Sequence, residues 1–399
     1  MCLVMAMKLR TVREIDPGGK KVLFRADLNV PLSDGKVADD SRIRAVLPTL
    51  RWLLERGARV AVCSHLGRPE GKVVEELRLR PVAERLSKLL GKPVPCLSET
   101  IGPEVRKAVA SLKDGEILML ENVRFYPGEE ENDPKFAKAL AEPFDIFVND
   151  AFATAHRAHA STVGVAKYLP SYAGFLMERE VEVLSGLLTN PRRPFYVLVG
   201  GKKAKDKLGV LTGLLAHVDG FLIGGGVAFT FLAAQGLKVG KSVLDEKLIP
   251  TIKDLIRQIQ EKGKELHLPV DVVVAPELKE GVEVKVISVQ AIPEGWMGLD
   301  IGPATVGRFA EVIQRAGTVV WTGPMGAFEV PPFGKGTEAI ARALISSKAF
   351  TVVGGGETGE AVEKLGLTEK FGYVSTGGGA TLSFLQGEPM PALEVLRAD

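Results

Sequence analysis

The chain has 399 residues, 46% of them hydrophobic and 25% charged, with a formal net charge of +2. Length and composition suit a globular protein of roughly two to three domains with a core of ordinary size. So balanced a charge excludes a general nucleic-acid or membrane-surface binder, and positive charge that matters must be concentrated locally.

The first eight residues, Met1 to Lys8, are apolar but too short for a signal peptide, and they lack a basic leader. They read as a small extension. Short apolar runs then alternate with helical periodicity. Leu23–Ala26, Val60–Cys63, Ile117–Leu120 and Ile146–Val148 read as buried strands. Between them Ser41–Leu54 reads as a helix with Ser41 as N-cap, and Pro81–Leu90 and Pro103–Leu112 as helices with proline in the first turn. Leu169–Gly174 reads as a turn. Phe175–Leu188 follows as a helix with Met177, Val181 and Leu184 on one face, a natural connector between two lobes. Beyond it, Tyr196–Val199, Phe221–Ile223, Val272–Val274, Val319–Trp321 and Thr351–Val353 read as strands, with helices at Val227–Gln235 and Glu246–Ile259. Continuous apolar strands separated by helices predict an α/β fold of parallel sheets covered on both faces. No apolar run approaches a membrane span. Cys2, Cys63 and Cys96 show no CxxC spacing, which argues against a disulfide framework or structural zinc and for a reducing, cytoplasmic setting.

The two halves end their strands differently. In the first, arginine and histidine follow the apolar runs: Arg25, Arg68, Arg124 and Arg157, with Arg42 on the first helix, and His65, His156 and His159. Arginine's planar fork suits phosphate and carboxylate. Asp27 and Asn29 add acceptors for a substrate hydroxyl or for orienting an arginine. His159 reads as structural. In the second half the runs end in glycine: Gly200-Gly201, Gly224-Gly225-Gly226, Gly323-Pro324 and Gly354-Gly355-Gly356. Ligands in open α/β sheets bind beyond the strands' carboxyl ends. One half therefore offers a cationic site for a small anion, and the other bare backbone for close approach of a nucleotide. That combination points to phosphoryl transfer.

Lys202, Lys203, Lys205 and Lys207 follow Gly200-Gly201 directly, a run read as phosphate contact. The Walker pattern GxxxxGK[ST] is absent. Gly354-Gly355-Gly356-Glu357-Thr358-Gly359 matches GxGxxG after a strand, but the next strand ends in Ser375-Thr376-Gly377 and not in the acid a dinucleotide site wants. A helix N-terminus after glycines still suits phosphate. Glu357 is placed either to meet a magnesium ion or to complement the helix dipole.

In order, these motifs resemble phosphoglycerate kinases from about Lys8 onward. The strings that carry the resemblance are Arg25 to Pro31, Ser64 to Pro69, Leu120 to Phe125, Asn149 to Phe152, Ala155 to His159, Ala173 to Glu178, Gly298 to Pro303, Gly323 to Gly326 and Val374 to Ala380. The resemblance implies two Rossmann-like lobes joined by a hinge helix. An N-terminal 3-phosphoglycerate-binding domain spans 8–174, an interdomain helix 175–188 and a nucleotide-binding domain 189–384, with 385–399 packing back on the first. It implies that Arg25, Asp27, Asn29, Arg42, His65, Leu66, Gly67, Arg68, Arg124 and Arg157 hold 3-phosphoglycerate. It implies that MgATP is held by Gly201, Lys203, Lys207, Gly224, Gly225, Gly226, Leu299, Pro324, Glu329 (on the ribose), Gly355, Gly356, Glu357 and Thr358, with Glu357 toward the metal. Departures from the family pattern are Ala153, Lys202, Ala204, Thr322, Glu357 and Ser383.

The expected reaction is ATP-dependent phosphorylation of the carboxylate of 3-phosphoglycerate, in either direction, by a monomer with no nucleic-acid or membrane partner. A carboxylate is ionised at neutral pH and needs no general base, so catalysis rests on positioning and charge neutralisation, with Arg42 and Lys203 as candidates. Two alternatives are a nicotinamide-dependent dehydrogenase, suggested by the GxGxxG string, and a non-catalytic nucleotide binder on the same fold, suggested by Thr322 and Glu357.

Overall fold

A computed structural model describes residues 7–398. Cys2 and most of the apolar leader, read above as an extension, lie outside them. The chain forms two compact units: the first ends at Ser185 and takes in the chain again from Glu388, and the second runs Gly186–Gly387.

The first unit is built on five parallel strands: β1 (Lys21–Arg25), β2 (Arg59–Cys63), β3 (Ile117–Met119), β4 (Ile146–Asn149) and β5 (Ser171–Ala173), in the order β3-β2-β1-β4-β5. Alternate residues of one strand enter different cores. Val22, Phe24, Val60 and Val62 pack with Ile43, Val46, Leu50 and Leu53 of helix α1 (Ser41–Glu55). Leu23, Ala61 and Leu118 pack with Val105 and Val109 of α2 (Pro103–Ser111) and Phe136 and Leu140 of α3 (Pro134–Ala141). A sheet covered on both faces requires uninterrupted apolar strands, which is why they read so clearly in the sequence.

Three local readings need correction here. Asp40 precedes the first helical residue of α1, so Ser41 is not the N-cap; its hydroxyl instead donates to Asp39 Oδ2 at 2.8 Å. The stretch read as a turn at Leu169–Gly174 contains edge strand β5. The helix expected from Glu246 opens with a 3-10 turn at Glu246–Leu248 before the α-helix Ile249–Glu261.

The second unit has six parallel strands: β6 (Phe195–Val199), β7 (Gly220–Ile223), β8 (Glu265–His267), β12 (Thr318–Thr322), β13 (Phe350–Gly354) and β14 (Tyr373–Val374), in the order β8-β7-β6-β12-β13-β14. The numbers missing from that order belong to a separate antiparallel sheet: β9 (Asp271–Ala275), β10 (Lys285–Ser288) and β11 (Met297–Ile301), with β9 central. Val272–Val274, read as one more parallel strand, belongs to this small sheet. Its apolar residues pack on Phe229, Leu232, Val289 and Ile292.

Both parallel sheets reverse their winding once. In the first unit the chain builds β1, β2, β3 outward and then crosses to β4 on the other side of β1. In the second it builds β6, β7, β8 and crosses to β12. The crevice at such a switch point, beyond the strands' carboxyl ends, is where open α/β sheets take ligands. Arg25 ends β1 in register with Asn149 of β4, and Thr322 ends β12 in register with Val199 of β6. Helix α4 (Phe175–Thr189) runs through the boundary at Ser185, with Met177, Val181 and Leu184 all buried. The end of the chain joins the first unit through Arg10 N to Leu396 O and Ala398 N to Lys8 O, each 2.8 Å. Among the described residues no helix is long and apolar enough to cross a membrane.

Candidate active site

At the first switch point, Asp27 lies just past β1, and Arg42, one residue into α1, donates from NH1 to its Oδ2 at 2.6 Å. Asp27 Oδ1 also accepts the Asn29 amide at 3.0 Å. Burial opposes the charge on Asp27, but Arg42, that amide and Arg25 outweigh it and hold the carboxyl below its usual range. Asn29 Oδ1 accepts the Gly67 amide at 2.8 Å, which ties the loop after β1 to the loop after β2. Gly67 sits at φ +63°, where an added Cβ would come within 2.7 Å of Leu77, so the turn requires glycine. Leu66 is buried and exchanges hydrogen bonds with the side chain of Asn122.

The cations divide into free and engaged. Arg68 is exposed, and no hydrogen bond or ion pair to a described residue occupies it. Arg157 is half-buried and donates only to His156 Nε2, at 3.2 Å. Arg124 is 4% exposed and donates to Gly67 O at 2.9 Å, while its buried Nε makes no hydrogen bond but pairs with Glu130 Oε1 at 3.5 Å. Arg25 is wholly buried, with its guanidinium on Ser161 Oγ, Ala26 O and His65 Nδ1. It backs the site and does not face it. Burial, reinforced by Arg25, Arg124 and Arg42 against the pull of Asp27, drives the His65 pKa well down, so the ring is neutral. His159, also buried, is pushed down to about 4 by desolvation and by Arg124, Arg25 and Arg157. Its Nδ1, 3.8 Å from Glu129 Oε1, and that of His156 are buried without a hydrogen-bond partner. The result is a positive crevice, with Arg68 exposed and Arg157 half-buried, suited to a small polyanion.

At the second switch point a cleft of about 210 Å³ is lined by Lys202, Lys203, Asp206, Lys207, Gly355, Gly356, Glu357, Thr358, Gly378, Gly379 and Leu382. Two helices open on it: α5 (Gly356–Lys364), entered through Gly355 at φ +96°, and α6 (Gly379–Gln386), entered through Gly378 at φ +54°. Their free amides and positive dipole ends suit phosphate. Lys203 is exposed and makes no ion pair among the described residues. Lys207 is 9% exposed and donates from Nζ to Thr322 Oγ1 at 3.1 Å. Burial lowers the Lys207 pKa despite the nearby charges of Glu357 and Asp206. Thr358, wholly buried, accepts the Gly323 amide at 2.6 Å.

The glycines after β7 do not line this cleft. Gly225 and Gly226 are pressed against neighbouring loops, where an added Cβ would come within 2.8 Å of Gly201 N and O and 2.2 Å of Lys202 O respectively. They let three strand-end loops touch, and Gly201 is held there by its amide on Pro324 O at 2.8 Å. Gly224, whose added Cβ would meet Met325 Sδ at 2.5 Å, packs likewise. Leu299 and Glu329 also lie away from the cleft; Leu299 O accepts the Ala327 amide at 2.8 Å, and Glu329 two residues on is exposed. Asp206, Gly378, Gly379 and Leu382 are lining residues that the sequence reading left out. The signal for two of them was present, since Gly377-Gly378-Gly379 follows β14 just as Gly354-Gly355-Gly356 ends β13.

Among the described residues no three His, Cys, Asp or Glu side chains are gathered as a metal site. The cleft offers Glu357, with Asp206 beside it. That donor set does not fit an ion caged by protein. It does fit magnesium, which keeps waters and takes one or two carboxylates together with substrate phosphates.

A family model described as "Phosphoglycerate kinase" matches residues 12–388. The chain is 52% identical over 386 residues to a phosphoglycerate kinase of Moorella thermoacetica, covering 97% of this chain and 98% of the relative. It is 53% identical over 390 residues to one of Pelotomaculum thermopropionicum, covering 98% and 99%. The solved phosphoglycerate kinase structure from Coxiella burnetii superposes with a TM-score of 0.89 at 44% identity, covering 98% and 99% of the two chains. That from Pyrococcus horikoshii OT3 does so at 0.85 and 35%, covering 97% and 98%.

Proposed function

The chain belongs to the phosphoglycerate kinase family, a glycolytic kinase that moves phosphate from ATP to 3-phosphoglycerate, and we propose how its residues divide that work. The dehydrogenase and non-catalytic alternatives draw no support from the relatives. One observation carries the division of labour: the two switch points are built oppositely, arginine and histidine at one, glycine-led helix ends and lysines at the other.

The first unit holds 3-phosphoglycerate. Arg68, Arg157 and Arg124 take its phosphate, and Asp27 and Asn29 take its hydroxyl. Arg42, oriented by Asp27, lies beside the carboxylate. The second unit holds the nucleotide phosphates on the amides of α5 and α6 and on Lys207, with Lys203 reaching toward the γ-phosphoryl group. A carboxylate oxygen of 3-phosphoglycerate forms a bond to the γ-phosphorus as the bond to the ADP oxygen breaks, giving the acyl phosphate and ADP. Lys203 and Arg42 neutralise the charge on the group in flight, the main task in such a transfer. Glu357 is the residue that would hold magnesium, which would supply charge neutralisation at the nucleotide phosphates.

Since the two sites stand on different units, the reaction requires hinge closure, and α4 is the element through which it acts. Small-angle scattering should show a smaller radius of gyration with both ligands than with either alone; no change would remove closure from the mechanism. We place the enzyme in the cytoplasm, on its sparse unpaired cysteines, and as a monomer, since each parallel sheet is covered on both faces by its own unit. The test of function is a coupled assay of purified protein with ATP and 3-phosphoglycerate, the product trapped by hydroxylamine as the hydroxamate of an acyl phosphate. ADP formation without trapped hydroxamate would contradict transfer to the carboxylate.

A further inference from the structure

A guanidinium has five N–H donors and no acceptor. The contact between Arg25 NH2 and His65 Nδ1, 3.2 Å, therefore requires a lone pair on Nδ1. A neutral ring so held carries its proton on Nε2, and an imidazolium would set N–H against N–H. His65 is 3% exposed, with Asp27, Arg42 and Arg124 acting on it as well as Arg25. Nε2 has no hydrogen bond to a described residue, yet it is not among the nitrogens sealed from solvent without a partner. It is the ring atom that opens on the crevice.

Arg25 is itself clamped from behind. Its Nε donates to Ser161 Oγ at 2.8 Å. With that lone pair occupied, the Ser161 hydroxyl proton goes to Glu129 Oε1 at 2.6 Å, and the Ser161 amide to Oε2 at 2.8 Å. Arg25, Ser161 and Glu129 are all wholly buried. Nothing in the Arg25 guanidinium is left to rotate toward solvent, because NH1 is held by Ala26 O.

We infer that the buried chain Glu129–Ser161–Arg25 fixes His65 as the neutral Nε2–H tautomer, so that the ring presents one N–H donor to the anionic substrate. Glu129 and Ser161 are then positioning residues, acting on the substrate only through Arg25 and His65. The second half of this statement rests on the reading of the crevice as the 3-phosphoglycerate site; the tautomer does not.

The test is long-range proton–nitrogen correlation on the full chain labelled in its histidines, with His65 assigned by comparison with His65→Gln. The parent at neutral pH should show a bare Nδ1 and a protonated Nε2. Saturating 3-phosphoglycerate should shift Nε2 while leaving Nδ1 bare. Ser161→Ala and Glu129→Gln should give a tautomer-averaged ring. They should also raise KM for 3-phosphoglycerate roughly tenfold, the size of a lost hydrogen bond to a charged group, with KM for ATP unmoved. A protonated Nδ1 in the parent, or an unaltered ring in both folded variants, would overturn the tautomer lock. A locked ring that ignores 3-phosphoglycerate would overturn the substrate assignment instead. Should neither variant fold, the measurement on the parent still decides.

Discussion

Arg42 and Asp27 act as one unit: the guanidinium on α1 donates to the carboxylate past β1 at 2.6 Å, with Asp27 mostly buried and Arg42 partly open. Arg68, by contrast, is exposed and engages no described residue. Arg68→Ala should therefore raise KM for 3-phosphoglycerate with little change in kcat, as expected for lost ground-state binding. Arg42→Ala should lower kcat as well. Steady-state kinetics at varied 3-phosphoglycerate separates the two, and identical behaviour would show that Arg42 only binds.

Lys203 and Lys207 should differ in the same way. Lys203 is exposed at the cleft, and Lys203→Ala should lower kcat by ~10²-fold or more, the usual cost of a transition-state donor, with ATP binding largely kept. Lys207 is buried against Thr322 Oγ1, so Lys207→Ala should weaken ATP binding and lower the melting temperature. Calorimetry and nucleotide titration check both. A near-normal kcat in Lys203→Ala would pass its role to Lys202 or Lys207.

Glu357, at the start of α5, should set the response to magnesium. Rate against magnesium at fixed ATP should be right-shifted strongly in Glu357→Ala and partly in Glu357→Asp. Superimposed curves for the parent and both variants would make Glu357 a dipole-complementing acid only.

Asp150 makes a pH prediction. Wholly buried, it accepts from Thr49 Oγ1 at 2.6 Å and from the Met177 amide of α4 at 3.0 Å. Desolvation, against those hydrogen bonds, raises its pKa to about 7 from 3.8. An acid raised on folding keeps its proton more tightly in the folded state. Its contribution is full below about pH 4 and is lost as pH rises through about 7. The parent's melting temperature, relative to that of Asp150→Asn, should therefore fall between those limits and level off above. A constant difference across the range would show that Asp150 is ionised throughout.

The parallel strands were legible because both faces of each sheet are covered, which leaves the run uninterrupted. Val272–Val274 is just as apolar, and only its pairing with Lys285–Ser288 and Met297–Ile301 reveals an antiparallel sheet. Edge strand β5 was hidden between Pro170 and Gly174, residues that usually punctuate turns. In the site, the residue types and their places at strand ends were readable. Their engagement was not. Arg25 and Arg68 look alike in sequence, but one is consumed by Ser161, 136 positions away, and the other is free. The close packing of the Gly224–Gly226 run against the chain's own loops was not legible in the sequence either.

The central claim is that Arg42 from one unit and Lys203 from the other act on the same phosphoryl group. The most direct measurement is a double-mutant cycle in kcat on Arg42→Ala, Lys203→Ala and the combined variant, with both ligands saturating. Groups that work as one in a transition state are non-additive, so the combined variant should lose much less than the product of the two single losses. Losses that simply multiply would mean the two cations act independently, and would contradict their convergence on one reacting group.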